Sequence, residues 1–240
     1  MNVLVTGISR GVGLAIAKVL LQESIHVYGI SRSSTEELEM LKNDYPKSLS
    51  LKKVDLANTD DIRKDVFKSF IPNSIPLDGF VNNAAIAYDD IITNINSESL
   101  QTMFSVNVFS PMVLTKYVIR NMLVNKIKGS IIHISSISAH TGYKGLAMYA
   151  SSKGAIEAFS KNTAREWGVK NIRSNVVVPG FMETNMSASL SDDQKQRIYN
   201  RTSLKQATNI VSVAEMVNFL ISEKANSITG QNIHVDAGTI

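Results

Sequence analysis

The sequence predicts an α/β fold in which a parallel sheet carries helices on both faces. Short apolar runs alternate with amphipathic stretches along all 240 residues, and this alternation is typical of βα units joined by right-handed crossovers. Strands are expected near residues 2–6, 25–30, 49–54, 78–82, 129–134, 171–178 and 232–235, with helical patterns between them. Because no repeat, low-complexity tract or linker interrupts the chain, we expect one domain over residues 1–240.

Composition narrows the class of protein. Apolar residues make up 44% of the chain, but no apolar run approaches the ~20 residues of a membrane span. Cysteine is absent and the four histidines are scattered, so we expect no disulfide and no metal site; His133 and His234, in strand patterns, are expected to be structural. The 25 basic residues are interspersed with 21 acidic ones, which argues against nucleic acid as a partner. The chain enters a strand at once, leaving no room for an export signal, and we expect a cytoplasmic protein without a membrane partner.

The first strand leads into a glycine-rich loop. An apolar strand over residues 2–5 precedes the segment Thr6 to Gly13, and an amphipathic stretch over residues 14–21 follows it. Strand, glycine loop and helix in this order form the context of a dinucleotide site, because glycine lets the backbone approach a pyrophosphate and the helix start offers free N–H groups. The spacing is GxxxGxG rather than the common GxGxxG. The alternative is an ordinary glycine-rich turn.

The end of the second strand indicates which dinucleotide binds. An NAD site usually has an acidic residue there, which would repel a 2′-phosphate. This chain has Ser31-Arg32-Ser33 instead, and Arg10 in the glycine loop can reach the same region. Two guanidinium groups and two hydroxyls suit a phosphate. Either arginine could be a solvated loop residue, but the missing acid favours NADP over NAD.

A tyrosine and a lysine one helical turn apart form the candidate catalytic pair. Tyr149 and Lys153 lie on one face of a predicted helix, thirteen residues after Ser136. A free phenol has a pKa of about 10, and a nearby ammonium is expected to lower it toward a useful range. A hydroxyl such as that of Ser136 can then hold a carbonyl oxygen beside the phenol. By itself this YxxxK spacing is common, so its weight depends on the rest of the chain.

Together these motifs resemble the classical short-chain dehydrogenase/reductase family over nearly all of the chain. Further matches occur in the family's order: Asp55, the segment Asn82 to Ala85, Asn107, the pair Pro179-Gly180, and Thr184. One departure is Ala85, where the family has glycine. The resemblance implies a Rossmann-like doubly wound domain with seven parallel strands in the order 3-2-1-4-5-6-7.

The resemblance also implies the roles of the site residues. Tyr149 is the general acid in carbonyl reduction, Lys153 lowers its pKa and binds the nicotinamide ribose, Ser136 orients the carbonyl, and Asn107 holds a water of a proton relay. The implied cofactor site comprises Gly7, Ser9, Arg10, Gly11, Val12, Gly13, Ser31, Arg32, Asp55, Leu56, Asn83, Ala84, Ala85, Tyr149, Lys153, Pro179, Gly180, Met182 and Thr184. The expected substrate site comprises Ser136, Ser138, His140, Tyr143, Tyr149, Phe181 and Met186, under a mobile lid over about 181–205.

Three segments resemble the 3-oxoacyl-[acyl-carrier-protein] reductases within this family: Tyr149 to Ala155, Pro179 to Met186 and Ile228 to Gly238. The resemblance implies NADPH-dependent reduction of a 3-oxoacyl group in fatty acid biosynthesis. Carrier proteins are acidic, so basic docking residues are expected; the candidates are Lys126, Lys128, Lys170 and Arg173. One alternative is a reductase of a sugar, a nucleotide sugar or another small secondary alcohol. A second is a non-catalytic NADP-binding regulator or scaffold, but the presence of all four catalytic residues argues against that second alternative.

Apolar residues on two predicted helices suggest self-association. The helices over about 98–125 and 147–165 carry apolar side chains on more than one stripe: Leu100, Met103, Phe104, Met112, Leu114, Val118, Ala155, Ile156 and Phe159. A helix that covers one sheet face needs a single stripe, so the extra surface predicts a partner. In the resembling family these helices pair across a two-fold axis, and a C-terminal contact completes a tetramer. We expect a homotetramer, or failing that a dimer.

Overall fold

The computed structural model describes residues 1–184 and 190–239. Its sheet has seven strands in the order β3-β2-β1-β4-β5-β6-β7, and every neighbouring pair is parallel. The predicted fold class and strand order are confirmed. The strands are β1 (Asn2–Thr6), β2 (His26–Ser31), β3 (Leu49–Lys53), β4 (Gly79–Asn82), β5 (Ser130–Ile134), β6 (Arg173–Pro179) and β7 (Asn232–Val235).

Helices connect the strands, and two segments depart from simple α-helix. The α-helices are α1 (Gly11–Gln22), α2 (Glu36–Asp44), α3 (Ser97–Phe104), α4 (Ser110–Val124), α5 (Ala147–Trp167), α6 (Asp192–Tyr199) and α7 (Ile210–Ile221). A π-helical turn over Ser105–Phe109 joins α3 to α4, so the long helix predicted near 98–125 is continuous but widened in its middle. Between β3 and β4 there is a π-helical turn over Arg63–Lys68. In the described part of the chain, no helix is both long and apolar enough to cross a bilayer.

Both faces of the sheet are buried, as a parallel sheet requires. Along β1, Val3 and Val5 join the core under α1 and α7, whereas Leu4 packs on the opposite face with Phe80 and with residues of α4. Successive side chains of a strand alternate between faces, so one continuous apolar run serves two cores. The strands that lead to the site are therefore packed by apolar side chains on both faces of the sheet.

Part of the apolar surface that suggested self-association belongs to the chain's own core. Met103, Leu114, Val118 and Ile156 are at most 1% exposed and pack inside the subunit. They do not contribute to a surface for a partner, because they are buried within the chain itself. Phe109, in the π-helical turn, is 51% exposed. The tetramer stays a prediction, and fewer exposed apolar residues support it than the sequence suggested.

Candidate active site

The predicted functional segments meet at one end of the sheet, the edge formed by the carboxyl ends of its strands. The glycine loop follows β1, the residues Asn83 to Ala85 follow β4, Ser135 and Ser136 follow β5, and Gly180 follows β6. Because the strands are parallel, their carboxyl ends lie together, and this edge is where ligands bind in open α/β sheets.

The glycine loop is packed tightly against the end of β4. Gly7 and Gly11 have φ angles of +71° and +56°, which favour glycine. A Cβ on Gly13 would lie 2.2 Å from the Gly7 carbonyl oxygen, so only glycine fits there. The Asn83 side-chain amide donates to the carbonyl oxygens of Thr6 (3.0 Å) and Gly7 (3.2 Å). These contacts fix the backbone at the point where α1 begins.

The start of α1 is suited to an anion. Arg10, at the N-cap, gives no side-chain hydrogen bond to the helix, and the first turn has no acidic residue. The first N–H groups and the positive end of the helix dipole therefore remain available for a pyrophosphate. The Thr184 methyl lies 3.9 Å from where a Cβ on Gly11 would be, which places Thr184 beside this loop. These residues fit a dinucleotide.

The end of β2 lies beside the same loop. The Gly7 N–H donates to the Ile30 carbonyl (2.8 Å), and the Thr35 hydroxyl donates to the Ser9 carbonyl (2.6 Å). Arg10 and Arg32 are both exposed, and within residues 1–184 and 190–239 neither guanidinium forms an ion pair. Their charges are therefore not neutralised by a carboxylate of the described chain.

Two of the other predicted cofactor residues make contacts with the protein itself. Asp55 is exposed, and its Oδ1 accepts a hydrogen bond from the Ala57 N–H at 3.0 Å, so it stabilises a turn. The Leu56 side chain is only 6% exposed and belongs to the core. Any contact of Leu56 with a cofactor would therefore involve its backbone. The adenine contact of Asp55 stays a prediction.

Tyr149, Lys153 and Ser136 lie together at the end of β5. The Lys153 ammonium is 5.5 Å from the centre of the Tyr149 ring and donates to the Ile134 carbonyl at 2.9 Å. The Ser136 hydroxyl is close enough to the Tyr149 phenol to stabilise the phenolate by hydrogen bonding. The arrangement joins a proton donor, a cation and a second hydroxyl at one point, which suits the stabilisation of charge developing on a carbonyl oxygen.

The pKa of Tyr149 differs from the expectation that Lys153 lowers it. Burial, and after it the charge of Asp89, raises the pKa of Tyr149 to about 12, although the hydrogen bond from Ser136 opposes this rise. Burial also lowers the pKa of Lys153 to about 8, while the charge of Glu157 acts in the opposite direction. The expected lowering is therefore wrong for the chain by itself, because desolvation of the phenolate is the largest effect. Near neutral pH the phenol keeps its proton.

Asn107 lies in the π-helical turn and ties a loop to α5. Its Oδ1 accepts from the Ile86 N–H (2.9 Å), and its Nδ2 donates to the Ile86 carbonyl (2.9 Å) and to the Ser152 hydroxyl (3.0 Å). The widened turn aims this amide at the loop that follows Asn83. Asn107 thus fixes that loop beside the catalytic helix, and the water of a proton relay stays a prediction.

Of the expected substrate residues, some are partly exposed and others are occupied by hydrogen bonds within the protein. Tyr143 and Phe181 are partly buried, and Met186 lies outside the described residues. Ser138 is 5% exposed, and its hydroxyl donates to the Ser136 hydroxyl at 3.0 Å. His140 binds the Glu157 carboxylate at 3.0 Å. Ser138 and His140 therefore make contacts within the protein, and Ser138 supports Ser136 directly.

Sequence reasoning missed Glu157. This residue accepts hydrogen bonds from Ser135, His140 and Asn232. The available signal was its spacing, because Tyr149, Lys153 and Glu157 follow one another at four-residue intervals on one helix face.

The predicted carrier-docking residues do not lie at the mouth of this site. Lys126 and Lys128 precede β5, and Lys170 precedes β6, so all three are at the amino ends of strands, the opposite edge of the sheet. Arg173 is 9% exposed, and its guanidinium donates to the carbonyls of Leu220, Ile221 and Ser222 at the end of α7. The docking prediction is wrong for Arg173, because its side chain is occupied inside the subunit.

Comparison with known proteins agrees with this architecture. The family model described as enoyl-(acyl carrier protein) reductase matches residues 7–239. The 3-oxoacyl-[acyl-carrier-protein] reductase of Escherichia coli is 36% identical over 98% of this chain and 95% of its own. The L-xylulose reductase of Caenorhabditis elegans is 33% identical over 99% of this chain and 94% of its own.

Among solved structures, a 4-hydroxyisoleucine dehydrogenase complexed with NADH has a TM-score of 0.91 and 27% identity, covering 99% of this chain and 98% of that one. The family match and the relatives support an oxidoreductase with a nicotinamide dinucleotide cofactor. By its fold, its glycine loop and its full-length relatives, the chain belongs to the short-chain dehydrogenase/reductase family.

Proposed function

We propose that this protein is an NADPH-dependent carbonyl reductase that converts a 3-oxoacyl group on an acyl carrier protein to the 3-hydroxyacyl product. The observation that carries the reductase assignment is the contact of Tyr149 with Ser136, with Lys153 beside them, at the strand ends that also bear the glycine loop. The similarity to 3-oxoacyl-[acyl-carrier-protein] reductases supports the finer assignment.

The residues of the chain account for the proton side of the reaction. NADPH held at the glycine loop would supply the hydride for the carbonyl carbon. The carbonyl oxygen then gains negative charge, and the hydroxyls of Ser136 and Tyr149 stabilise that charge by donating to it. The raised pKa of Tyr149 keeps the phenol protonated until it gives its proton to this oxygen. The adjacent Lys153 ammonium stabilises the phenolate that results.

The charges near the end of β2 support NADPH rather than NADH. Arg10 and Arg32 are exposed and have no carboxylate partner in the described chain. Ser31 ends the strand where an NAD site would have an acidic residue. A 2′-phosphate is dianionic and would bind both guanidinium groups through charge-assisted hydrogen bonds. A solved relative of the same fold holds NADH, so the NADPH assignment rests on these local charges and not on the fold.

A second candidate is the reduction of a small polyol or sugar. The L-xylulose reductase is nearly as similar to this chain as the bacterial reductases are. In addition, the basic residues proposed for carrier docking lie at the edge of the sheet opposite the site. A carrier docked on those residues would lie at the amino ends of the strands, away from Tyr149, which weakens the argument from docking residues.

The decisive experiment follows NADPH oxidation by absorbance in the presence of different carbonyl compounds. Acetoacetyl thioesters of coenzyme A and of an acyl carrier protein are compared with L-xylulose and a panel of other ketoses. We expect turnover of the thioesters, and a lower KM for the carrier form if docking occurs. Turnover of sugars alone would replace the 3-oxoacyl proposal with the second candidate, and faster reaction with NADH would refute the NADPH assignment.

A further inference from the structure

The Glu157 carboxylate joins three separate parts of the active-site edge. Its oxygens accept hydrogen bonds from the Ser135 hydroxyl (2.5 Å), the His140 ring (3.0 Å) and the Asn232 side-chain amide (2.7 Å). These partners come from the end of β5, from the turn that follows it and from β7. The Glu157 side chain is only 10% exposed. A carboxylate so far removed from water needs its hydrogen bonds, and here it receives at least three.

Two of these contacts bracket Ser136. Ser135 immediately precedes it, and His140 caps the short 3₁₀ turn Ile137–Ala139 that Ser136 begins. The Ser136 hydroxyl accepts hydrogen bonds from the backbone N–H (3.2 Å) and the hydroxyl (3.0 Å) of Ser138 within this turn. Holding the turn at both ends restricts how far Ser136 can move relative to Tyr149. Displacements of about 1 Å in such a group can change rates up to a hundredfold.

We propose that Glu157 is a positioning residue, which holds the Ser136 turn against the catalytic helix and places a negative charge one turn from Lys153. The inference rests on the proposed reductase function, because it assigns Glu157 a part in orienting that function's hydroxyl and ammonium groups. No step of the proton transfer passes through Glu157 itself.

The charge of Glu157 should be visible in the pH dependence of turnover. Tyr149 and Glu157 face Lys153 from its own helix, His133 faces it from β5, and Asp89 faces Tyr149 from the loop after β4. Burial lowers the pKa of Lys153, and Glu157 opposes that decrease. Removing the Glu157 charge should therefore lower the pKa of Lys153 further. Since the ammonium is the working form, activity would be lost at a lower pH as the pH is raised.

His140 contributes to the same arrangement from the solvent side. Its side chain is 26% exposed, and its ring packs edge to face against His234 of β7, with centres 4.6 Å apart. A cleft of about 340 Å³, lined in part by Glu157 and Asn232, opens beside the carboxylate. Replacing His140 removes one hydrogen bond to Glu157 and keeps the Glu157 charge and the Ser136 side chain. This variant therefore tests the positioning effect separately from the charge effect.

The test compares four variants with the wild type, using the carbonyl substrate that the wild type reduces best. Glu157→Gln keeps the size of the side chain and removes its charge, Glu157→Ala removes the whole contact, and His140→Ala removes one donor. Glu166→Gln is the matched control, because Glu166 is an exposed acidic residue farther along α5. For each protein, kcat, KM, NADPH affinity and thermal midpoint are measured between pH 6 and pH 10.

We expect Glu157→Gln to lose activity at lower pH than the wild type does, with NADPH affinity unchanged. Glu157→Ala should lower kcat about tenfold or more, and His140→Ala should lower kcat less and leave the alkaline limb in place. Glu166→Gln should match the wild type. If Glu157→Ala does not fold, the pH profile of Glu157→Gln still decides the question.

A wild-type pH profile in Glu157→Gln, or an unchanged kcat in a folded Glu157→Ala, would overturn the proposal and leave Glu157 a structural residue only. If instead the wild type reduces no carbonyl compound, the proposed function itself fails. The two failures are therefore distinguishable.

Discussion

The close packing around Gly13 in the glycine loop allows a quantitative prediction for Gly13→Ala. The new methyl would lie 2.2 Å from the Gly7 carbonyl oxygen and 2.5 Å from the Asn83 Nδ2. Neither atom can easily move, because Nδ2 donates hydrogen bonds to the carbonyl oxygens of Thr6 and Gly7. Overpacking typically costs about 1–3 kcal/mol, and each displaced hydrogen bond of the Asn83 amide costs a further ~1 kcal/mol. We therefore expect the free energy of unfolding to fall by about 3–5 kcal/mol.

Urea denaturation and a fluorescence titration with NADPH measure the two consequences of this change. Because the displaced loop precedes α1, NADPH affinity should also fall, by about tenfold or more. Gly154→Ala is the matched control, since a Cβ there meets nothing within 4 Å. In that variant the helix should gain about 0.5–1 kcal/mol, with NADPH affinity unchanged. Wild-type stability and affinity in Gly13→Ala would refute the described packing of the loop.

Three further predictions concern catalysis, cofactor choice and assembly. Tyr149→Phe removes the proton donor and should lower kcat by a factor on the order of 10² or more while NADPH still binds; near-normal turnover would exclude Tyr149 as the acid. Arg32→Asp should weaken NADPH binding by about 2 kcal/mol and leave NADH binding unchanged or improved, as measured by calorimetry; equal losses for both cofactors would contradict a 2′-phosphate contact. Light scattering should give a homotetramer, and a particle of 26.3 kDa, the mass of one chain, would contradict it.

The fold was predictable because its signals are local. Apolar runs bounded by polar or turn residues locate all seven strands to within about two residues, and their alternation with helices indicates a parallel sheet. The π-helical turn at Ser105–Phe109 was not predictable in the same way. Its formation accompanies the pairing of the Asn107 amide with the Ile86 backbone, which lies 21 residues earlier in the chain. Helical periodicity contains no information about such a contact.

In the candidate site, too, residues close together in the sequence were predictable and contacts between distant segments were not. Residues at short, fixed spacing, such as Tyr149 and Lys153, are found from the sequence because one helix presents both. The contacts of Glu157 with Asn232 and of Arg173 with the end of α7 join segments tens of residues apart, and no local pattern indicates them. The position of the docking lysines follows from the predicted topology, since any residue that precedes a parallel strand lies at the end of the sheet opposite the ligand site.

The buried His133 gives a prediction about stability at acid pH. Its ring is fully buried between Phe80 and Phe159, and within the described residues neither ring nitrogen has a hydrogen-bond partner. Burial, and to a lesser degree the charge of Lys153, lowers the pKa of His133 from 6.5 to about 3. The unfolded chain therefore takes up a proton near pH 6.5, whereas the folded chain does so only near pH 3.

As the pH falls through this window, the unfolded state is favoured increasingly. Each pKa unit corresponds to about 1.4 kcal/mol, so the loss of stability reaches on the order of 4 kcal/mol at the acid end. Carboxylates also titrate there, but they do so in any variant. His133→Leu keeps an apolar side chain of similar size and removes the titrating group. In urea denaturation at several pH values between 7 and 4, the wild type should lose about 3 kcal/mol more than His133→Leu, because only the wild type must keep an imidazole unprotonated in its core. Parallel curves for the two proteins would mean that His133 reaches water or a polar partner.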